Sequence, residues 1–397
     1  MIFTEERKLQ NIHKGANLLI IFLVSTSILA CFYIPGVLGF LGLPGFNQAK
    51  PFWITSGIIV YLIELIIFWN GMIRIYLTST QLRIKLRVLG LIFGMILPIN
   101  IIILIFMIIR VRQEYTFETA KLKLNEERKD QQICKTKYPL LLLHGVFFRD
   151  FRYFNYWGRI PGELKKNGAV IYYGNQQSAE SVVTSGKTIA KKIKEICEKE
   201  GCEKVNIIGH SKGGLDARWA ISKEGMAPYV ASLTTINTPH RGCLFAEYLL
   251  TKIPAKRQNQ IASVYNEILT KLGDSDPDFL TSVNDLTAES MKKFNEEVPD
   301  SPLVYYQSVG SKMNKKQGGK FPLRYSYNLV KKYDGNNDGL VGQDSCPWGQ
   351  KFQFLTTKHG RGISHADMID LYKENIKEFD VREFYVQLVK DLKDQGF

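Results

Sequence analysis

The sequence predicts an α/β domain, with a mainly parallel sheet covered by helices on both faces, that follows an N-terminal membrane region. Two observations support this division. Long apolar stretches dominate residues 15–112, whereas short apolar runs alternate with amphipathic segments from Tyr138 onward. Strands that alternate with helices form a parallel sheet with both faces covered. A third observation, a glycine-flanked serine between a predicted strand and a predicted helix, places Ser211 at the centre of that domain.

The first 112 residues predict three transmembrane helices. Three apolar stretches each have the length needed to cross a hydrocarbon core of about 30 Å, and they cover residues 16–41, 52–77 and 88–109. Basic residues precede the first stretch and follow the second, namely Arg7, Lys8, Lys14, Arg83, Lys85 and Arg87. Because basic loops stay in the cytoplasm, three crossings place the following domain on the extracytoplasmic side of the cell membrane. A polar linker is predicted over residues 113–137.

Charge and cysteine content indicate which classes of ligand the chain is expected to bind. The formal net charge is +14, and 52 Lys and Arg residues are spread along the sequence without a run of five. This pattern gives no indication of a nucleic-acid-binding arm and favours attraction to an anionic membrane surface. The six cysteines form no C-x₂-C pair, so the sequence predicts no structural zinc site.

The α/β domain, residues 138–397, is predicted from four short apolar runs. These runs are Leu140–Leu143, residues 169–173, residues 205–208 and Val230–Ile236. Between them, isoleucines recur at helical spacing at positions 189, 193 and 196. Residues 244–300 form a long connection after the fourth strand, with Ile261, Val264, Ile268 and Leu272 at helical spacing, and predict a helical lid or a static cap.

The strand at residues 205–208 runs directly into Gly209-His210-Ser211-Lys212-Gly213. A G-x-S-x-G motif between a strand and a helix is typical of the nucleophile turn of the α/β-hydrolase fold, in which small residues allow a sharp turn. The helix that begins behind Ser211 directs N–H groups toward a developing oxyanion. Ser211 is therefore the predicted nucleophile.

An oxyanion hole in this fold takes one N–H group from the residue after the nucleophile and one from an early strand–helix loop. Lys212 and Val146 stand at these two positions. The role expected of Lys212 depends on its backbone N–H alone, and its side chain is predicted to be solvated.

A serine nucleophile needs a histidine base and an orienting carboxylate, which follow in the order Ser, Asp or Glu, His. Of the six histidines, only His359 and His365 come late enough in the sequence. His365 is preferred, because it lies in a loop that turns into a helix. Asp338 best fits a loop position for the acid, with Asp334 and Asp344 as alternatives.

At this point the sequence resembles the bacterial secreted triacylglycerol lipases. The resemblance rests on five motifs in the same order, namely residues 137–145, 205–215, 233–242, 286–295 and 337–341. It implies a lipase or carboxylesterase, and it supports Asp338 and His365 as acid and base. Members of this family are usually soluble, so the apolar N-terminal region implies that the substrates are lipids or acyl esters at the cell's own surface.

The resemblance also implies two structural features. The family's structural calcium site uses an aspartate two residues after the catalytic histidine, which is Asp367 here, but Leu371 replaces the expected glutamine. Calcium is therefore expected at most as a structural ion, and no cofactor is required for the reaction. The family's disulfide implies Cys346 as one partner, with Cys243 as the proposed other.

The sequence thus predicts a membrane-anchored serine hydrolase that cleaves lipid or acyl esters through Ser211, Asp338 and His365. Two other functions stay open on sequence grounds. A surface acyltransferase would use the same residues and pass the acyl group to another alcohol. A membrane scaffold would keep the fold only to bind lipid, since a fold does not prove turnover.

Overall fold

The computed structural model describes residues 4–40, 44–94, 96, 98–146, 155–252, 254–271 and 277–397. The chain forms two compact units, Met1–Glu127 and Arg128–Phe397. Each unit has its own hydrophobic core.

The first unit is helical. Its helices are α1 (Glu5–Val37), α2 (Lys50–Thr78), α3 (Arg83–Phe93) and α4 (Ile99–Glu127). Two glycines allow α1 and α2 to approach closely, since a Cβ atom at Gly15 would lie 2.7 Å from Ile75 and one at Gly71 would lie 2.8 Å from Leu19. Small residues at a helix contact are typical of helix pairs in membranes.

The prediction of three transmembrane helices is wrong in number. In the described part of the chain, only α1 and α2 are both long and apolar enough to cross a membrane. The third apolar stretch is divided between α3, which ends at Phe93, and α4, which begins at Ile99 directly after Pro98. Proline lacks the N–H donor that a helix interior needs. Helix α4 carries three charged residues, Arg110, Arg112 and Glu114, in its first half or just beyond it. The argument for an extracytoplasmic domain counted three crossings and therefore no longer holds.

The segment expected to be a polar linker contains regular structure. Helix α4 continues through residue 127, so residues 113–127 are helical and belong to the first unit. The second unit begins at Arg128, whose guanidinium donates two hydrogen bonds to the carboxylate of Glu383, at 2.7 and 2.9 Å. Paired bonds of this kind fix the orientation of both side chains.

The second unit contains the predicted parallel sheet. Its strands are β1 (Leu140–Leu143), β2 (Ile171–Tyr173), β3 (Val205–His210), β4 (Val230–Ile236), β5 (Tyr305–Ser311) and β6 (Lys351–Leu355). The strand order is β2-β1-β3-β4-β5-β6, and all neighbours are parallel. The helices are α5 (Ile160–Lys166), α6 (Val182–Glu200), α7 (Lys212–Lys223), α8 (Leu244–Lys252), α9 (Ala255–Lys271), α10 (Phe279–Asn284), α11 (Ala288–Glu297), α12 (Leu323–Asp334) and α13 (Val381–Asp394).

Strand β1 shows why the sheet is covered on both faces. Its four leucines are fully buried, and successive side chains point to opposite faces. Leu140 and Leu142 pack in the core that contains residues of α5 and α13, whereas Leu141 and Leu143 pack in the core that contains residues of α6 and α7. Burial of each leucine stabilises the fold by roughly 2 kcal/mol.

Four helices, α8 to α11, lie between β4 and β5 and form the predicted helical insertion. The carboxylate of Asp334 accepts hydrogen bonds from the N–H groups of Leu244 and Phe245, both at 3.0 Å, and so caps the start of α8. The side chains of Ile261, Val264 and Ile268, and the whole of Leu272, lie outside the described residues. A lid function for this insertion stays a prediction.

The six cysteines are free in the structure. Cys243 and Cys346 share a small buried cluster with Ala246 and Val341, but they form no disulfide. Burial raises the pKa of both thiols, which keeps them protonated and unreactive at neutral pH.

Candidate active site

Ser211 lies in a strained turn between β3 and α7, with φ +55° and ψ −130°. Positive φ is uncommon for a residue with a side chain, and such strain is often found at functional sites. The turn requires glycines on either side. A Cβ atom at Gly209 would lie 2.8 Å from the backbone of Gly214, and one at Gly213 would lie 2.5 Å from the carbonyl oxygen of His144.

The end of β4 holds this turn in place. The N–H of Ser211 donates to the carbonyl of Ile236 at 2.9 Å, and the Thr238 hydroxyl donates to the carbonyl of Ser211 at 2.8 Å. Both the amide and the carbonyl of the serine are therefore fixed, and Ser211 can depart from helical geometry without leaving a buried polar group unpaired.

His365 and Asp338 are brought together by two loops. The Nδ1 of His365 lies 2.7 Å from the Oδ2 of Asp338, and the N–H of His365 donates to the carbonyl of Asp338 at 2.9 Å. Both side chains are buried. An Nδ1–H bound to a carboxylate leaves Nε2 as the acceptor, which is the arrangement that a general base needs.

Both oxygens of the Asp338 carboxylate accept further hydrogen bonds. Its Oδ2 also accepts from the side-chain amide of Asn237 at 2.6 Å, and its Oδ1 accepts from the N–H groups of Leu340 and Val341 at 2.9 and 2.8 Å. These hydrogen bonds fix the orientation of the carboxylate toward His365. The other candidates occupy different sites, since Asp334 caps α8, while Asp344 and His359 are exposed.

The two predicted oxyanion donors are near Ser211 for different reasons. Lys212 follows Ser211 in the chain, and Val146 follows a glycine that lies against Ser211. Lys212 is the first residue of α7. Val146 is half-buried and follows Gly145, where a Cβ atom would lie 2.8 Å from the Cβ of Ser211. The early loop therefore packs directly against the serine. Residues 147–154, which continue this loop, lie outside the described residues.

A buried pair that the sequence did not predict, Tyr156 and His210, links this loop to the turn at Ser211. The N–H of Gly145 donates to the hydroxyl of Tyr156 at 3.0 Å, and that hydroxyl lies 2.7 Å from Nδ1 of His210. His210 also packs against His365, with ring centroids 4.4 Å apart. Burial and the neighbouring His365 hold the pKa of His210 well below its usual range, so its neutral ring accepts the tyrosine O–H.

The Tyr156→Phe variant is expected to lower kcat/KM for ester substrates roughly tenfold, a loss of about 1.4 kcal/mol. Phenylalanine keeps the ring packing but leaves the buried Gly145 N–H without this acceptor. The measurement is kcat/KM of the detergent-solubilised chain, with Tyr229→Phe as control because Tyr229 is exposed. Equal values for wild type and Tyr156→Phe would show that the Tyr156 hydroxyl does not position the loop.

The prediction of a solvated Lys212 side chain is wrong. Lys212 is 1% exposed, and its Nζ donates to Oδ1 of Asp216 at 2.7 Å and to the Ser185 hydroxyl at 3.1 Å. The signal was present in the sequence, because Lys212 and Asp216 are four residues apart on one helix face. Burial raises the pKa of Asp216 to about 7 despite the adjacent ammonium group.

The surroundings of Asp367 do not fit a calcium ion. Its Oδ2 accepts from the N–H and the hydroxyl of Ser364, and its Oδ1 accepts from the guanidinium of Arg361 at 3.0 Å. Arg361 also contacts Glu374 at 3.2 Å. Among the described residues, no group of three or more His, Cys, Asp or Glu side chains is placed to hold a metal ion. A guanidinium thus occupies the position against Asp367 where the resemblance implied calcium.

The Arg361→Met variant is expected to lose roughly 2 kcal/mol of unfolding free energy, because the buried Asp367 carboxylate loses its cation. The figure is below that for a fully buried pair, since Arg361 is 21% exposed. The loss of unfolding free energy is measured by chemical unfolding in the presence of EDTA or of calcium. Wild type and Arg361→Met are compared with Arg324→Met, a control at an exposed arginine. If calcium restored the unfolding free energy of Arg361→Met to the wild-type value, the conclusion that Arg361 rather than calcium is the partner of Asp367 would be wrong.

A six-stranded parallel sheet, with a strained serine turn after its third strand in sequence, defines an α/β-hydrolase fold. The lipase of Staphylococcus hyicus has this architecture at a TM-score of 0.51, with 19% identity over 66% of this chain and 98% of that one. The predicted fold class is therefore confirmed.

Sequence comparison finds triacylglycerol lipases among the relatives of this chain. The chain is 32% identical to triacylglycerol lipases of Pseudarthrobacter phenanthrenivorans and Burkholderia plantarii, over 42% of its length. It spans only about half of these relatives, 56% and 50% of their lengths. The profile of the palmitoyl protein thioesterases matches residues 139–275. The predicted resemblance to bacterial triacylglycerol lipases is thus confirmed.

Proposed function

We propose that the protein is a membrane-associated serine hydrolase that cleaves lipid or acyl esters. The observation that carries this proposal is the hydrogen bond between His365 and Asp338 in the same unit as the strained turn at Ser211. The relatives support it, because the proteins to which the chain is similar are named triacylglycerol lipases.

In the proposed reaction, Nε2 of His365 takes the proton of the Ser211 hydroxyl while the serine oxygen bonds to the ester carbonyl carbon. The carbonyl oxygen becomes an oxyanion, which accepts hydrogen bonds from the N–H groups of Lys212 and Val146. Each such donor is worth roughly 3–4 kcal/mol in comparable sites. His365 then protonates the departing alcohol, and water releases the acid from the acyl-serine by the reverse sequence.

A thioester is a second substrate class, which the palmitoyl protein thioesterase match over residues 139–275 favours. Ester and thioester carbonyls are attacked by the same nucleophile and develop the same oxyanion. The two classes differ in the leaving group, since a thiolate departs with less help from the general acid than an alkoxide does.

Membrane association is proposed from α1 and α2, which are long and apolar enough to span a bilayer. Two crossings would return the chain to the side on which it began. Basic residues lie at both of these ends, with Arg7 and Lys8 in the first turn of α1 and Lys85 and Arg87 after α2, and this favours the cytoplasmic face for both. Protease protection of the second unit in sealed vesicles tests the assignment, and accessibility only from the outer face would contradict it.

The experiment that tests the hydrolase proposal combines substrate rates with chemical labelling of the full chain in detergent. We expect hydrolysis of p-nitrophenyl esters or acyl thioesters, and the ratio of the two rates identifies the preferred class. A fluorophosphonate probe should modify Ser211, and the label should be lost in Ser211→Ala but kept in the nearby Ser222→Ala. Turnover that survives in Ser211→Ala would overturn the proposed nucleophile.

A further inference from the structure

A surface of the second unit combines clustered cations with exposed aromatic rings. Residues 312–333 contain seven Lys or Arg residues and no Asp or Glu. Within this segment, Phe321 is 76% exposed and Tyr325 is 75% exposed, and their rings meet edge to face with centroids 6.1 Å apart. Single exposed apolar residues are ordinary, but an aromatic pair within a purely cationic segment is not explained by the fold.

These side chains share one side of α12. Helical spacing of three, four and seven residues places Arg324, Tyr325, Lys331 and Lys332 on the exposed face, next to Phe321 just before the helix. The opposite face is buried through Leu323, Tyr327 and Val330. We call the exposed residues, together with Lys315 and Lys316, the α12 face.

The cations of the α12 face have no carboxylate partner among the described residues. Across the parts of the chain that the structure describes, Lys315, Lys316, Arg324, Lys331 and Lys332 form no salt bridge with a carboxylate. Their charge is therefore available to an anionic surface outside the molecule.

The buried side of α12 packs against the loop that carries Asp338. The Ser326 hydroxyl donates to the carbonyl of Gly339 at 2.6 Å, and a Cβ atom at Gly339 would lie 2.9 Å from Leu323. The side-chain amide of Asn337 donates to the carbonyl of Tyr327 at 3.4 Å. The α12 face thus belongs to the same edge of the domain as the candidate active site.

We propose that the α12 face docks this edge of the domain on an anionic lipid bilayer. Lysine and arginine are attracted to the phosphates and acidic headgroups, while phenylalanine and tyrosine insert at the level of the headgroups. The face is a convex helix surface with an aromatic pair at one end, which suits a flat interface. This inference goes beyond the proposed hydrolysis and adds a contact separate from α1 and α2.

The test measures binding of the full chain to a second membrane. The protein is reconstituted in nanodiscs of neutral phosphatidylcholine and sedimented with vesicles of phosphatidylcholine, with or without phosphatidylglycerol. We expect binding only to vesicles that contain phosphatidylglycerol, and weaker binding at higher salt. The triple variant Lys316→Gln, Arg324→Gln, Lys332→Gln should bind roughly 100-fold more weakly, from the loss of three surface cations.

A matched triple variant separates the α12 face from the net charge of the protein. Lys187, Lys191 and Lys194 are exposed and lie on one face of α6, so their replacement by Gln removes the same charge elsewhere. This control should bind as wild type does, whereas Tyr325→Ser should bind more weakly and keep its salt dependence. The exposed Leu303→Ser serves as its control.

Three results would overturn the proposal. The first is undiminished binding by the α12 triple variant, and the second is an equal loss in the α6 control. The third is binding to duplex DNA that matches binding to phosphatidylglycerol and depends on the same residues, which would assign the face to nucleic acid. Because binding is measured without turnover, Ser211→Ala should bind as wild type does, and failure of the hydrolase proposal would leave this result unchanged.

Discussion

The Asp338→Asn variant is expected to lose about 10⁴-fold in kcat while the protein stays folded. The carboxylate accepts four hydrogen bonds, two from the backbone at Oδ1 and two at Oδ2 from His365 and Asn237. An asparagine must place its NH₂ group against one of these pairs of donors. If it keeps the backbone pair, the NH₂ group faces His365, and the ring can no longer present Nδ1–H on that side.

The loss at Asp338 therefore arises from the tautomer and orientation of His365 rather than from the fold. The measurement is kcat on a p-nitrophenyl ester, together with the unfolding midpoint of the same preparation. Asp344→Asn is the matched control, because Asp344 is exposed and lies outside the cluster. A kcat within tenfold of wild type for Asp338→Asn would rule out Asp338 as the residue that orients the base.

The Lys212→Met variant is expected to lose about 3–5 kcal/mol of unfolding free energy. Lys212 and Asp216 are each 2% exposed in their side chains and lie 2.7 Å apart, so the substitution leaves a buried carboxylate without its cation. The double variant Lys212→Met, Asp216→Leu should recover most of the loss, because two apolar side chains replace the ion pair. Chemical unfolding of the full chain in detergent measures both.

The deficit of Lys212→Met should grow as the pH rises. Burial raises the folded-state pKa of Asp216 to about 7, above its ordinary value of 3.8, and removal of the lysine raises it further. Between about pH 4 and pH 7 the folded states of wild type and variant both bind a proton that the unfolded state has released, so both lose stability as the pH rises. Above pH 7 the wild-type carboxyl is ionised whereas that of the variant still binds a proton, so only the variant continues to lose stability and its deficit grows. A deficit that is the same at pH 5 and pH 8 would show that lost packing, not lost charge, destabilises the variant.

Features that local sequence determines were predicted well. The runs at Leu140–Leu143 and Val230–Ile236 form strands with the expected bounds, because continuous buried apolar runs have few other solutions. The strained turn at Ser211 followed from the surrounding glycines, since no bulkier residue fits there. The contact between His365 and Asp338 was predicted from their order in the chain, although their roles stay a prediction.

Features that depend on tertiary contacts were missed or predicted wrongly. Hydropathy alone could not show that the third apolar stretch is divided between two helices, α3 and α4. The partnership of Arg361 with Asp367 also escaped prediction, because a loop must fold back to join them. Tyr156 gave no signal at all, since its hydroxyl contacts His210 across 54 positions of sequence.

The end of β4 has a consequence for how this domain can change. Ile236 and Thr238 hold the backbone of Ser211, and Asn237 between them holds Asp338. Three consecutive residues thus hold both the backbone of Ser211 and the side chain of Asp338. Exchange of residues 244–300 for an insertion of another length should alter which acyl chains are accepted and leave the reacting groups in register. On this view, the residues that set the substrate range and the residues that carry out the reaction lie in separate segments of the chain.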